Sequence, residues 1–553
     1  MAPPFGRQIN KTSAVAIQFQ NGGAILVKQR VVRVRHAAGG WSVNSLPWLS
    51  LIIFTPWLGA LVLTLVPRTA ACRWIGLLFS LSTLAFAVRL LCAFDPNATG
   101  GQFVEQHAWI ASLNVTYHLS LDGLSLLLVL LTGLVAPASL LASWKQAQSP
   151  RLFNVLFLVL QGAALGTFLA LNFFHWFIFW ELSLVPAFFL IKLWGGPGAT
   201  PAAYQFFIYT MAGSAFMLLA FSAIFVATGT LDFVQLAHLA ADGTLNAKLA
   251  AAGAFAPKAV FLGVFLGLAV KAPLFPFHTW LPSAYAEAPT GASMFLTGVM
   301  SKMGVYGFLR ILWPLFPHQL HVAAVPLLCL ALGGVVLGAF SAMRQTDLKR
   351  MVAYSSVNHV SYCLLAIFGV AYAAGPGGLP VNAAVSAFSG ALLQMFNHGI
   401  SAAALFFCIG VLQTRSGGWR GLNDFGGVRS AAPIFAGLCG FAMFSSLGLP
   451  GLNGFVGEFL IFRGVFGLAP CSATIACLGL FATALFLLTF WQRVFHGPRA
   501  GATMGNFPDV DCSERAVLVP LVVLMIVFGV LPQLLVGLFN PLVTSWVAQA
   551  IVH

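Results

Sequence analysis

Long apolar runs recur along the whole chain, and each run could form a helix that crosses a membrane. A transmembrane helix needs about 20 predominantly apolar residues, and about fourteen such runs are present, joined mostly by short loops. Backbone groups in lipid must be hydrogen-bonded within the protein, which leaves only helices or closed barrels. Because the runs are continuous and lack the two-residue alternation of barrel strands, they predict one all-α polytopic membrane domain.

The predicted spans cover most of the chain after residue 46. Their boundaries are approximate, and they fall roughly at residues 47–66, 74–94, 122–143, 152–171, 173–193, 204–228, 257–283, 291–313, 321–342, 350–373, 382–412, 432–467, 472–495 and 516–548. Between them, residues 229–257 are predicted to form an amphipathic stretch beside the membrane, and residues 496–515 form a polar loop.

The basic residues cluster in loops on one predicted side of the membrane. The formal net charge of +14 is therefore a signal of topology rather than of nucleic-acid binding. By the positive-inside rule these loops face the cytoplasm of a cell inner membrane, and an even number of spans puts both termini on the other side. The basic residues of these loops are Arg68, Arg73, Lys145, Arg151, Arg344, Lys349, Arg350, Arg415, Arg420, Arg429, Arg493, Arg499 and Arg515.

Residues 1–46 differ from the rest of the chain. They carry six basic residues and no acidic residue, and they lack an apolar core long enough for a signal peptide. This charge conflicts with the exterior position that the other loops assign to them. An unusual extension, a processed leader or a misassigned start codon would each explain the conflict, and the last explanation is favoured.

The cysteines and glycines do not form the motifs of a redox or nucleotide site. The nine cysteines are scattered without a CxxC pair, and several lie inside predicted spans as small packing residues. No glycine-rich phosphate loop follows a strand. We therefore expect no metal and no cofactor in this chain.

Two predicted spans are interrupted by prolines. One interruption lies in residues 271–278, with Pro273 and Pro276, and the other lies in residues 448–454, with Pro450. Proline removes a backbone donor and clashes with the preceding turn, so both helices should break there. Broken helices at corresponding positions in two halves point to an inverted-repeat transporter, in which spans four to eight are repeated by spans nine to thirteen.

Four charged residues lie deep inside the predicted spans: Glu181, Lys271, Lys302 and Glu458. An ionisable group at this depth costs about 2.5–3.5 kcal/mol on insertion scales, so it usually marks an ion or proton path. Glu181 and Lys271 are predicted to form a pair that changes separation or protonation, although Glu181 could instead only tie two helices together. Lys271 could also extend its amine to the membrane surface.

Two histidines, His359 and His398, extend this set, because each has polar neighbours in sequence and histidine titrates near neutral pH. A lone buried histidine can equally be a hydrogen-bonded packing residue. His278 is a further candidate donor to Lys302, and His175 is expected at the membrane interface. Four other charged residues receive no role: Asp122, Glu287, Arg310 and Arg463.

These motifs resemble the antiporter-like proton-channel subunits of respiratory complex I, in the chain M or NADH dehydrogenase subunit 4 family. The resemblance spans roughly residues 47–548. It is carried by Trp180–Pro186, Lys271–Pro282, Ala288–Ser293, Gln345–His359, Asn397–Ala403 and Leu449–Glu458. The sequence departs from the family at Ser283, where relatives often have aspartate, and residues 1–46 have no counterpart.

The resemblance implies a fold of about fourteen transmembrane helices with two inverted five-helix repeats. It implies that Glu181 pairs with Lys271, that Lys302, His359 and His398 form a central hydrophilic axis, and that Glu458 lies near the exit. Glutamate at position 458 favours chain M, because related subunits and cation/proton antiporters usually have lysine there. The corresponding segments would be the extension 1–46, helices in 47–151, repeats in 152–313 and 321–495, and a loop and final helix in 496–553.

The resemblance also implies the function, which is proton translocation in the membrane arm of an NADH–quinone oxidoreductase. Partner subunits would hold FMN, iron–sulfur clusters and quinone, and other antiporter-like subunits would be neighbours. The alternatives are a subunit of a multi-subunit sodium/proton antiporter, or a membrane subunit of a related hydrogenase or ferredoxin-linked complex.

Overall fold

The prediction of an all-α polytopic membrane protein is confirmed by a computed structural model. The model describes residues 15–18, 24–27, 46–66, 69–98, 100–146, 148–375, 378–503, 505 and 507–552. In this part of the chain, twelve helices are long and apolar enough to cross a membrane. Two broken helices and one helix interrupted by π-helical turns complete the bundle.

The helices are numbered in chain order. The first half contains α1 (Trp48–Leu65), α2 (Thr69–Ala93), α3 (Gly123–Ala142), α4 (Pro150–Leu169), α5 (Phe173–Leu182), α6 (Leu184–Trp194), α7 (Ala199–Thr228), α8 (Phe233–Ala241), α9 (Thr244–Ala250), α10 (Ala256–Lys271), α11 (Trp280–Glu287), α12 (Thr290–Phe295), α13 (Ser301–Gly307), α14 (Trp313–Leu315) and α15 (Pro317–Val322). The second half contains α16 (Ala324–Met343), α17 (Leu348–Ala373), α18 (Val381–Arg415), α19 (Val428–Ala431), α20 (Pro433–Ser446), α21 (Asn453–Leu468), α22 (Pro470–Phe490), α23 (Cys512–Val530) and α24 (Gln533–Val552). π-Helical turns occupy Leu296–Met300, Phe308–Leu312 and Trp491–Phe495.

Three short antiparallel strand pairs accompany the helices. They are β1 (Val15–Gln18) with β2 (Ala24–Val27), β3 (Gln102–Ile110) with β4 (Val115–Leu121), and β5 (Phe425–Gly426) with β6 (Ala500–Gly501). The first pair belongs to a separate unit within residues 1–46, and the rest of that basic segment lies outside the described residues. The second pair occupies the predicted loop 93–121.

Both predicted helix breaks are present. The first half-helix α10 ends at Lys271, and α11 begins only at Trp280, after the segment that contains both prolines. In the second half, α20 ends at Ser446 and α21 begins at Asn453. The prolines remove backbone donors from both connections, which is the reason that the helices stop there.

Each half of the chain places a broken helix against a long unbroken one. In the first half α7 packs on α10, and in the second half α18 packs on α21. Glycines allow the close approach of α18 and α21, since a Cβ on Gly390 would lie 2.5 Å from the Ile461 nitrogen. A Cβ on Gly464 would likewise lie 2.4 Å from the Ala387 nitrogen. Each broken helix is therefore held over its length by an intact neighbour.

The final predicted span, 516–548, consists of two helices. α23 ends at Val530, and α24 begins at Gln533 after Pro532. α24 lies across one end of the bundle, because the Leu538 carbonyl oxygen meets Gly123 at the start of α3. Trp546, two turns further along, contacts Phe388 near the start of α18, with ring centroids 5.7 Å apart.

The two ends of the bundle differ in charge. We call one end the basic face, because ion pairs join its basic loops to one another; they are Lys145–Asp511, Arg415–Glu514, Arg420–Glu287 and Arg420–Asp347. The opposite face carries the β3–β4 hairpin, α24 and the short helices α8 and α9, which lie in the predicted amphipathic stretch. On this face His118 contacts Asp232 at 2.5 Å and so joins β4 to the start of α8.

On the basic face, a distant aspartate caps the broken helix α20. The Asp509 carboxylate accepts hydrogen bonds from the backbone N–H groups of Ile434 (2.9 Å) and Phe435 (2.8 Å). The residue before the helix is Ala432, which has no side-chain acceptor. Although burial raises the pKa of Asp509, the backbone donors and the charge of Arg415 outweigh it and hold that pKa below its usual value.

We expect Asp509→Ala to destabilise the protein by about 1 kcal/mol, because α20 would lose its only side-chain cap among the described residues. Asp509→Asn should keep most of this stability, since asparagine also accepts these hydrogen bonds. Because the pKa of Asp509 is lowered in the folded state, its stabilisation should be present above the usual carboxyl pKa and lost as the pH falls through the folded value. Thermal unfolding in detergent at several pH values measures both effects. Equal stability of the alanine and wild-type proteins would contradict the assignment.

Candidate functional site

A row of four buried ionisable side chains crosses the centre of the bundle. The Lys302 amine lies 2.8 Å from Nδ1 of His398. The ring of His398 stacks on that of His359, with centroids 5.0 Å apart. His359 Nε2 lies 3.2 Å from Oε1 of Glu458. We call these residues the central row; they come from α13, α18, α17 and α21, and all four were predicted.

Lys302 is surrounded by hydrogen-bond acceptors. Its amine donates to the Thr297 carbonyl oxygen at 2.6 Å and to the Ser301 hydroxyl at 3.2 Å, in addition to His398. The carbonyl oxygen belongs to the π-helical turn that precedes α13. Three acceptors match the three N–H bonds of an ammonium group, so the site is built to hold lysine in its charged form. His398 then accepts at Nδ1 and is neutral.

His359 has acceptors at both ring nitrogens. Nδ1 donates to the Ser355 carbonyl oxygen at 2.7 Å, while Nε2 lies 3.1 Å from the Ser446 carbonyl oxygen and also faces Glu458. A neutral imidazole has only one N–H, whereas the imidazolium has two. The geometry therefore suits protonated His359 beside ionised Glu458. The row thus alternates between groups that carry a proton and groups that could accept one.

Glu458 lies against the second helix break. Gln394 donates to its Oε1 at 3.2 Å, and a Cβ on Gly448 would lie 2.8 Å from its Oε2. Gly448 adopts φ +78°, a conformation that favours glycine. The break consequently provides both the backbone turn and the space that the carboxylate occupies.

An amide pair fixes the start of α21 beside α18. Asn397 donates to the Asn453 carbonyl oxygen at 2.7 Å, and Asn453 donates to the Asn397 carbonyl oxygen at 3.3 Å. Ser445, at the end of α20, donates to the Asn453 side chain at 2.5 Å. These bonds satisfy polar groups that the break exposes, and they place Glu458 one turn further along α21.

In the first half, Lys271 and Glu181 do not form the predicted ion pair. No carboxylate oxygen of Glu181 lies within 4.0 Å of the Lys271 amine. The amine is instead 3.3 Å from the Ser183 hydroxyl and 4.9 Å from the ring centre of Trp180. Glu181 is only partly buried and lies near Ser214, within electrostatic reach of Lys271. The two residues are neighbours that could approach each other, with Ser183 and Trp180 holding the lysine meanwhile.

Lys271 and the central row lie on elements in direct contact. A Cβ on Gly304, two residues after Lys302, would be 2.4 Å from the Ala272 nitrogen. No hydrogen bond joins Lys271 to Lys302 in the part of the chain that the structure describes. His278 does not contact Lys302 either; its ring stacks on Phe275 and lies 6.4 Å from that of Tyr354.

Several polar residues without a predicted role form contacts of their own. Arg310 pairs with Asp122 at 2.6 Å and also contacts Tyr306 at 3.2 Å. The spacing of Lys302, Tyr306 and Arg310, four residues apart each time, is a helical signal that could have revealed this group. His175, expected at the interface, is buried against the rings of Trp109 and Tyr117.

Among the described residues, no group of three or more histidine, cysteine, aspartate or glutamate side chains could hold a metal ion, and the cysteines form no disulfide bond there. What the central row can do is bind and transfer protons.

Comparison with known families identifies relatives of this arrangement. Residues 170–485 match the family described as NADH:quinone oxidoreductase/Mrp antiporter, TM. "NADH-quinone oxidoreductase subunit M" of Rhodobacter capsulatus is 35% identical over 508 residues, which cover 90% of this chain and 96% of the relative. "F(420)H(2) dehydrogenase subunit M" of Methanosarcina mazei is 36% identical over 495 residues, covering 88% and 95%.

Solved structures show the same fold. A chain of the respiratory complex I of Thermus thermophilus superposes with a TM-score of 0.78 at 28% identity, covering 91% of this chain and 99% of that chain. A chain of the Mrp complex from Dietzia sp. DQ12-45-1b superposes with a TM-score of 0.76 at 20% identity, covering 91% and 99%, and shows likeness of fold alone.

The contact between Gly448 and Glu458 is testable with a matched pair of variants. Gly448→Ala and Gly451→Ala both force alanine into a positive φ, which costs about 1–2 kcal/mol. Only position 448 also pushes against the carboxylate, whereas a Cβ at 451 meets nothing within 4 Å. We expect Gly448→Ala to be less stable than Gly451→Ala by about 1 kcal/mol in thermal unfolding. Adding Glu458→Ala to the first variant should relieve the excess, and an unchanged excess would contradict the contact.

Proposed function

Because this chain belongs to the NADH:quinone oxidoreductase/Mrp antiporter transmembrane family, we propose that it is a proton-translocating membrane-arm subunit of an NADH–quinone oxidoreductase. The observation that carries the proposal is the central row, in which Lys302, His398, His359 and Glu458 are in sequence within hydrogen-bond or ring contact. An unbroken series of proton-binding groups across an apolar bundle has a direct use in proton transfer.

The first step of the proposed mechanism takes place between Glu181 and Lys271. An approaching carboxylate favours the charged form of a buried lysine, and its withdrawal leaves burial to favour the neutral form. In the described state Lys271 is held by Ser183 and Trp180 rather than by Glu181. We propose that the approach of Glu181 loads Lys271 with a proton, and that its withdrawal releases the proton through water to Lys302 after Lys302 has passed its own proton to His398.

The second step moves a proton along the central row. The Lys302 ammonium points one N–H at the free nitrogen of His398, so the donor and acceptor are already aligned. Transfer to His398 places a second positive charge beside the His359 imidazolium. Repulsion between the stacked rings then favours release of the His359 proton through Glu458 at the second break. The proton on His398 then passes through water to His359, which returns both rings to their starting states.

The energy for this transfer must come from outside the chain. Moving one charge against the membrane potential requires about 2.3 kcal/mol per 100 mV. Electron transfer from NADH to quinone in partner subunits would supply it, and those subunits would hold FMN, iron–sulfur clusters and quinone. Its neighbours in the bilayer would be other membrane-arm subunits, including other antiporter-like subunits.

We further propose that the basic face lies in the cytoplasm of a cell inner membrane, as the positive-inside rule indicates. The predicted repeats, 152–313 and 321–495, would then contribute the loading pair Glu181–Lys271 and the exit group Glu458, respectively.

A second candidate function keeps the same proton path and changes the electron donor. The relative named F(420)H(2) dehydrogenase subunit M is as similar as the relative named for NADH and quinone, at 36% against 35% identity. A sodium/proton antiporter subunit is a weaker candidate, since it rests on fold likeness to the Mrp complex and Glu458 argues against it.

Purification of the native assembly through a C-terminal tag would separate these candidates. Partner subunits with flavin, iron–sulfur and quinone sites, identified by mass spectrometry, would support the redox-driven pump, and the flavin subunit would indicate the donor. Recovery of small membrane subunits alone, without any redox protein, would rule out the respiratory assignment.

We expect Glu181→Gln and Lys271→Ala each to lower quinone reduction coupled to proton pumping by at least about tenfold, because the loading pair would be lost. NADH oxidation by an artificial acceptor should be unchanged, since it takes place in partner subunits. Lys192→Ala is a suitable control, because this lysine lies at the end of α6 and its amine contacts Tyr204 and Phe188, away from Glu181 and Lys271, in the part of the chain that the structure describes. Wild-type quinone reduction and pumping in both test variants would refute the role of the pair.

A further inference from the structure

A cavity of about 720 Å³ opens at the opposite face, and its floor is a charged pair. The walls come from α8, α24 and the segment 313–321, and the floor includes Asp122 and Arg310. These two side chains are each 15% exposed, whereas Tyr306 behind them is fully buried. The pair thus marks the boundary between the cavity and the buried interior.

Arg310 is on the same side of its helix as Lys302, two turns closer to the cavity. Tyr306 lies between Arg310 and Lys302 on this helix. Its hydroxyl accepts a hydrogen bond from Arg310 Nε at 3.2 Å and donates one to the Phe168 carbonyl oxygen at 3.1 Å. The only proton of that hydroxyl therefore points at a backbone carbonyl, which cannot pass it on. No hydrogen bond joins Tyr306 to Lys302 in the described residues, and the Lys302 amine turns the other way, toward Thr297.

The guanidinium of Arg310 is held from several directions. Asp122 binds it at 2.6 Å, the Ser125 hydroxyl accepts from it at 3.2 Å, and its carbon atom lies 5.4 Å from the ring centre of Tyr306. Asp122 is itself fixed, because its other oxygen caps α3 by accepting from the Ser125 backbone at 3.0 Å. An arginine stays protonated under all physiological conditions, so this position presents a permanent positive charge that cannot relay protons.

The backbone around these two cations is also unusual. One π-helical turn, Leu296–Met300, directly precedes α13 and Lys302, and a second, Phe308–Leu312, contains Arg310. Such turns are rare and occur frequently at functional sites. Both cations of this helix therefore lie in or beside a π-helical turn.

We propose that Arg310, positioned by Asp122 and Tyr306, is a seal that closes the direct route between the cavity and Lys302. A fixed positive charge at a constriction excludes protons electrostatically. With this route closed, a proton that reaches Lys302 from Lys271 can continue only through His398 and His359 to Glu458. The seal rests on the proposed proton path and adds to it. It explains why protons move along the central row and do not leak back from the opposite face.

The test measures passive proton entry into liposomes that contain the whole membrane assembly, with no electron donor present. A pH-sensitive dye inside the vesicles reports proton uptake driven by a potassium diffusion potential. Arg310→Gln should raise the rate of proton uptake by at least about tenfold. This factor is the lower end of the effect that charge in a low-dielectric cleft has on the rate at which ions enter it. Uptake at the wild-type rate in Arg310→Gln would overturn the proposal.

Two further variants make the result specific. Arg415→Gln breaks an ion pair of similar burial on the basic face, with Glu514, and should not leak. Adding Lys302→Met to Arg310→Gln should return uptake toward the wild-type rate, because the opened route would end at an uncharged side chain. A leak that persists in the double variant would mean a general packing defect and would also overturn the seal.

A further variant tests the seal if Arg310→Gln prevents the membrane complex from assembling. Asp122→Asn with Arg310→Met removes both charges together and leaves no unpaired charge, while asparagine keeps the cap of α3. It should leak as Arg310→Gln does, and tightness would count against the seal. Donor-driven pumping by the wild-type assembly is measured separately. Absence of pumping would refute the proposed function, whereas a tight Arg310→Gln assembly that pumps would refute the seal alone.

Discussion

The constraint on which the rest of this structure depends is that every charge inside the apolar bundle must find a partner within the protein. Lys302 satisfies this constraint with three acceptors, one of them a backbone carbonyl of a π-helical turn. His359 satisfies the same constraint with two carbonyl oxygens and the Glu458 carboxylate. Burial makes each of these contacts necessary, and the same contacts place proton donors beside proton acceptors. Under the proposed function, stability and proton conduction would therefore use the same hydrogen bonds.

The helix breaks are the second consequence of that constraint. A break exposes backbone groups in the membrane interior, which is tolerated only where protein or water satisfies them. At the second break Asn397 and Asn453 exchange hydrogen bonds, and Gly448 leaves room for Glu458. At the first break Lys271 ends α10 and turns to Ser183. Each break thus lies beside an ionisable residue, and it supplies the space that such a residue needs in order to change partners.

The features that could be predicted from the sequence were those with a local signal. A run of apolar residues, a pair of prolines or a lysine within such a run is visible in a short window, so the spans, both breaks and the central row were found. Contacts between distant segments leave no such signal. That Asp509 caps α20, and that α24 lies across the bundle, depend on packing. The missed contact of Asp122 with Arg310 crosses 188 residues of sequence. The missing Glu181–Lys271 ion pair is a matter of side-chain direction, which spacing does not determine.

The difference between the two ends of α13 would give proton transfer through the bundle a direction. Toward the central row, Lys302 faces a neutral imidazole that can accept its proton. Toward the cavity, the next polar groups are a tyrosine committed to a carbonyl and an arginine that cannot lose its proton. A chain of proton carriers conducts equally well in both directions. A pump therefore needs one end of the proton path closed while the other end exchanges protons. In this protein the closure would be permanent at Arg310, and the variable element would be the separation of Glu181 from Lys271. With the fixed barrier at Arg310 and the movable pair Glu181–Lys271 on opposite sides of Lys302, an electrostatic change at the pair would drive net proton transfer along the central row.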